Sequence, residues 1–152
     1  MLSNRSPIYD TLLIAHVLVG MLGYGGVIFS GVFARKLLRE GPSESTSRYF
    51  DGSRNTAVMF VGLVPVFGML VLFVGQGNLH DVTKAWFDAA VLIWVVSGAA
   101  AFMKILPTER RLHSALSIGD ASVGSLAKTI ERTSALCSVL YVIAFYLMLF
   151  KP

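Results

Sequence analysis

The stretch Thr11-Leu-Leu-Ile-Ala-His16-Val-Leu-Val-Gly20-Met-Leu-Gly23-Tyr-Gly25-Gly26-Val-Ile-Phe-Ser30-Gly31-Val-Phe-Ala34 contains no Asp, Glu, Lys or Arg. About 20 mainly apolar residues span a bilayer core as an α-helix. This run is long enough, and Arg35, Lys36 and Arg39 close it. A secretory signal would carry its charge at the other end and have a shorter apolar core, about 7–15 residues. The run therefore reads as a retained transmembrane helix.

Three further segments have the same character. Asn55–Leu79 is uncharged and carries Pro65, Trp86–Met103 is broken only by Asp88, and Thr133–Phe150 follows an amphipathic lead-in at Leu126–Arg132. The expected helices cover about 9–39, 54–77, 83–116 and 126–150, as one domain. The first and third are expected to run past the membrane, to about Glu40 and Leu116. Composition agrees. The chain is 55% hydrophobic and 14% charged, with mean hydropathy +0.67, against roughly 25% charged residues in a soluble domain. Gly41-Pro42-Ser43 reads as a turn leading into a helix cap, and Gly77-Asn78 as a short outer turn. Short connections favour antiparallel neighbours. The expected fold is all-α, an integral membrane four-helix up-down bundle.

The net charge of +4 lies outside the apolar runs, where it meets anionic headgroups. No basic stripe interleaves with aromatics, which excludes nucleic acid. The first loop and its flanks carry Arg35, Lys36, Arg39, Arg48 and Arg54, and the third carries Lys104, Arg110, Arg111, Lys128 and Arg132. Arg5, Lys84 and Lys151 remain for the opposite side. By the positive-inside rule the first and third loops are cytoplasmic and both termini outside. Trp86, Tyr9 and Tyr146 suit the outer interfacial belt. Trp94 is deeper and reads as a packing residue.

His16 shares a helical face with Gly20, Gly23, Val27, Ser30, Gly31 and Ala34. Small faces are where membrane helices pack closely, so His16 points into the bundle. An ionisable residue there raises three readings. It is a haem iron ligand with Gly20 and Gly23 making room for the macrocycle, a proton-titrating group, or a neutral imidazole bonded between helices. Met69 stands at a comparable depth as a second axial ligand. Asp88, one turn into the third helix, either orients His16, pairs with Lys84 at i−4, or snorkels outward. Ser134, Cys137, Ser138 and Tyr141 form one stripe on the fourth helix, a polar lining or a set of interhelical hydrogen bonds. Cys137 is the single cysteine, so no intrachain disulfide forms. Phosphate-loop, dinucleotide, nucleophile-elbow and HExxH patterns are absent, and the expectation leans away from an enzyme.

His16 followed by Gly25-Gly26, then Gly75, Trp86, Pro107 with Arg110-Arg111, and the ending Met148-Leu-Phe-Lys-Pro152 resemble a family of uncharacterised bacterial four-helix integral membrane proteins. The resemblance implies the bacterial cytoplasmic (inner) membrane and lends no activity. More distantly, a first-helix His before a glycine resembles the copper-resistance D proteins and the HemJ-type protoporphyrinogen oxidases. That likeness implies a haem or porphyrin site at His16 alone, since Ser30-Gly31-Val32 departs from the HemJ pattern. Three function classes follow. One is a non-catalytic accessory or scaffold subunit in a membrane complex or homo-oligomer. The second is a haem b redox protein using His16, and the third a small proton-coupled transporter using His16 and Asp88.

The orientation is directly testable. A cysteine introduced at Ser45 is expected to stay unlabelled by an impermeant thiol reagent in intact cells, and one at Asn78 to label. Labelling at Ser45 would invert the topology.

Overall fold

The computed structural model describes residues 6–53, 55–75 and 83–150. These form an all-α bundle of four long apolar helices and one short one: α1 (Pro7–Glu40), α2 (Glu44–Tyr49), α3 (Thr56–Val74), α4 (Ala85–Ile118) and α5 (Val123–Phe150). All four long helices are long and apolar enough to cross a membrane. The expected Gly77-Asn78 turn lies outside the described residues. At 1.5 Å per residue α1 and α4, 34 residues each, reach about 51 Å against a hydrocarbon core of about 30 Å. Both therefore project beyond it, and α5 begins at Val123, slightly ahead of the expected lead-in.

Helix ends follow local chemistry. Ser6 caps α1 by accepting from Tyr9 N at 3.2 Å, Pro7 opens its first turn, and Gly41 ends it at φ 78°. Positive φ is cheap only for glycine. Ser43 and Thr46 form a reciprocal capping box on α2, as the turn-and-cap reading expects.

α1 packs against α3 on one side and α5 on the other. Its expected face is buried: Gly20, Gly23, Val27, Ser30, Gly31 and Ala34 all lie inside. A Cβ on Gly23 would stand 2.5 Å from Val61 N, and one on Gly26 2.8 Å from Val58 N. A Cβ on Gly31 would stand 2.6 Å from the Cβ of Ser134 on α5. The backbones of α1 and α3 thus touch, which only glycine permits.

Two prolines shape the other helices. Pro65 has no N–H, so the Val61 carbonyl four residues earlier loses its helical donor. The chain tightens to a 3₁₀ turn over Phe60–Leu63, and Trp94 Nε1 on α4 donates to Val61 O at 2.9 Å. Trp94 is indeed a packing residue, and also the replacement donor. Ahead of Pro107, α4 widens to a π turn at Ala101–Ile105, with Leu106 N bonded to Ala101 O. Such a bulge relieves the clash of a proline ring with the preceding turn.

The core has two apolar clusters. One joins Val19, Tyr24, Val27, Val58, Val61, Val64, Ala101, Ile105 and Cys137. The other joins Ala34, Leu37, Phe50, Leu112, Ala127 and Ile130. Aliphatic and aromatic side chains such as Ile14, Leu18, Met21, Phe29, Phe73, Leu92 and Val142 face outward, a surface suited to lipid rather than water.

Glycine substitutions separate contact from propensity. Gly23→Ala and Gly26→Ala are expected to lower stability by about 1–3 kcal/mol through overpacking. Gly20→Ala, with nothing within 4 Å of its Cβ position, should stay within about 0.5 kcal/mol. Thermal unfolding in detergent measures both, and equal effects at Gly20 and Gly23 would contradict the close contact.

Candidate functional site

Between the two apolar clusters lies one polar layer. On α1 Ser30 falls between Val27 and Ala34, on α4 Glu109 between Ile105 and Leu112, and on α5 Ser134 between Ile130 and Cys137. Glu109 is only 8% exposed. Its Oε1 accepts from Ser30 Oγ at 2.5 Å and from Asn55 Nδ2 at 3.3 Å. Tyr49, at the end of α2, places its hydroxyl 3.0 Å from Ser30 Oγ and 3.1 Å from Asn55 Nδ2. Burial holds the Tyr49 phenol above its ordinary pKa, so it remains a neutral hydrogen-bonding group. Asn55 is also the cap of α3, accepting from Val58 N at 3.4 Å. Four elements are thus tied to one carboxylate.

This layer forms the floor of two adjoining clefts that share Ser53, Asn55 and Glu109. The smaller, about 90 Å³, has Met59, Phe102 and Leu106 along one wall and Arg110 at its edge. The larger, about 250 Å³, is bounded by Arg48 and the Phe50–Ser53 loop. His113 pins that loop by donating from Nδ1 to Phe50 O at 2.9 Å, with Gly52 over its ring. Hydrogen bonds from Ser53 hold the Asp51 carboxyl below its usual value, so the mouth keeps an ionised acid.

The residues singled out from sequence lie elsewhere. His16 is half-buried and its Nδ1 donates to Val64 O on α3 at 3.0 Å, which makes Nε2 the acceptor nitrogen. The ring sits over Gly68, where a Cβ would meet Cε1 at 3.1 Å. Space beside Gly23 is filled by the Phe60–Val61 backbone, and Met69 lies on the outer side of α3, 47% exposed. His16 thus faces α3 and Met69 the outer surface, and nothing lies within 4 Å of the Cβ position of Gly20. Asp88 is exposed in the first turn of α4, where backbone N–H groups favour an acid. Among the described residues no ion pair links it to His16 or Lys84.

The α5 stripe is mostly used between and within helices. Tyr141 stacks on Tyr24 at 4.4 Å, Cys137 Sγ lies 3.8 Å from Ser97 O, and Ser138 bonds back to Ser134 O. Tyr24 and Ser97 join α1 to α4 through their hydroxyls at 2.7 Å. Ser134 Oγ is buried without a partner among the described residues.

Sequence reasoning missed Glu109, Asn55 and Tyr49. Glu109 follows Pro107 in a charged run and looks like a solvated face. The signal was its register: with Ile105, Leu112 and Ala115–Leu116 it completes an apolar stripe at helical spacing.

No family model, curated protein or solved structure matches the chain.

Glu109→Gln keeps an acceptor for Ser30 and Asn55 and is expected to melt near the wild type in detergent. Glu109→Leu removes it and should lower stability by about 1–3 kcal/mol. If Glu109→Leu melts with the wild type, the layer does not hold the bundle.

Proposed function

We propose that the chain is a non-catalytic accessory or scaffold subunit of the bacterial cytoplasmic membrane, with both termini outside and the polar cleft on the cytoplasmic side. The observation that carries this is where the polar groups go. Across the membrane-crossing part, His16, Trp94, Tyr24 and Ser97 all bond to neighbouring helices, and glycine contacts seal α1 against α3 and α5. Accessible polar groups instead collect around Glu109 at one end, among the basic loops. Such a distribution of polar groups suits a contact face better than a conduit. The resemblance to four-helix membrane proteins of bacteria and the ten-to-three distribution of Lys and Arg support the location and orientation.

Purified in mild detergent from native membranes, the protein is expected to hold a second polypeptide, or further copies of itself, at fixed stoichiometry. It should be colourless, with His16→Ala leaving the assembly intact. A lone monomer would count against the accessory reading. A Soret band lost in His16→Ala would put the haem reading in its place.

A further inference from the structure

Glu109 is chemically unfinished. Its Oε1 is held by two neutral donors, Ser30 and Asn55. Its Oε2 has no hydrogen-bond partner among the described residues, yet is not among the sealed, unpartnered polar atoms. That oxygen therefore opens to the cleft the residue lines. Among the described residues no cation lies within ion-pairing distance of Glu109, and a carboxylate buried without one is costly to ionise. Among the described residues, the cleft thus presents a carboxyl oxygen that a donor cation would complete.

Its walls narrow the choice. Arg110 is exposed at the rim and has no ion-pair partner among the described residues. An anion beside the recessed cation would meet it. Met59, Phe102 and Leu106 form the remaining wall, and Met59 and Phe102 are 44% and 39% exposed on the outer apolar surface. A ligand with a primary ammonium, a neighbouring phosphate and a hydrocarbon tail satisfies all three walls at once. A soluble aminophosphate would leave the apolar wall unused, and a free divalent cation would leave both it and Arg110 unused.

We propose that this cleft binds the headgroup of an aminophospholipid, phosphatidylethanolamine in chemistry. Its ammonium donates to Glu109 Oε2, its phosphate meets the Arg110 guanidinium, and its acyl chain lies along Met59 and Phe102. Ammonium–carboxylate and guanidinium–phosphate contacts are the strong, charge-assisted class. The quaternary ammonium of phosphatidylcholine has no N–H to give Glu109. Phosphatidylglycerol brings no cation. The proposal deepens the cytoplasmic-side cleft described above and rests on that location, but not on an accessory role.

The test is native mass spectrometry of the full chain in detergent, titrated with phosphatidylethanolamine, phosphatidylcholine and phosphatidylglycerol of identical acyl chains. One phosphatidylethanolamine per chain is expected, bound on the order of 10-fold more tightly than the other two. Glu109→Gln keeps the acceptor for Ser30 and Asn55 but removes the charge. It should abolish the preference while its helical circular dichroism stays at the wild-type level, and Arg110→Gln should weaken all three lipids. Equal binding of the three lipids to the wild type, or a preference that survives Glu109→Gln, overturns the proposal. Competition by glycerophosphoethanolamine as strong as by the intact lipid would also overturn it, by making the ligand a soluble aminophosphate. Because the isolated chain is used, loss of this preference leaves the partner stoichiometry of the accessory reading untouched, and the reverse holds too.

Discussion

The backbone contact between α1 and α3 at Gly23 and Gly26 sets the geometry of the bundle. Lipid tails are as apolar as leucine, so membrane helices gain little from burying hydrocarbon against each other; close packing and hydrogen bonds hold them instead. A missing side chain on α1 brings the Phe60–Val61 and Ala57–Val58 backbones of α3 into contact. That approach carries the Val61 and Val64 carbonyls to where Trp94 and His16 reach them.

The proline in α3 then becomes a crosslink rather than a defect. An unpaired carbonyl in hydrocarbon costs several kcal/mol, and the indole of Trp94 answers the one that Pro65 leaves. His16 performs a related task one turn on, joining α1 to α3 through the Val64 carbonyl. Its ring needs Gly68 opposite, so glycine contacts at Gly23, Gly26 and Gly68 and the His16 bond fix α1 to α3, while Trp94 ties α4 to α3. With α5 closing on the far side through Gly31 and the Tyr24–Tyr141 stack, the interior is packed across the membrane-crossing part.

The charged end follows a different rule. α1 and α4 outrun the membrane, and between their apolar turns the polar layer of Ser30, Tyr49, Asn55 and Glu109 is satisfied from four elements. A carboxylate tolerates such burial when donors converge on it. Here they converge on one oxygen, which leaves the other turned to the cleft.

Length and hydropathy alone determined the four spans, because crossing a bilayer requires about 20 apolar residues whatever the fold around them. The small face of α1 was equally legible from helical periodicity, and so was the role of Trp94 as a packing residue. The partner of each polar group was decided only by tertiary structure. For His16 the sequence shows an ionisable group at depth, open to a ligand, proton or interhelical bonding role, but not the Val64 carbonyl that its Nδ1 meets. Sequence alone did not single out Glu109, which Arg110 and Arg111 follow, and only the packing of α4 on α5 with Ser30 and Asn55 alongside shows that this side chain turns inward. Hydrophobic periodicity is a property of a single helix, whereas a hydrogen bond between helices depends on the register of two, and that register is set by where their backbones touch.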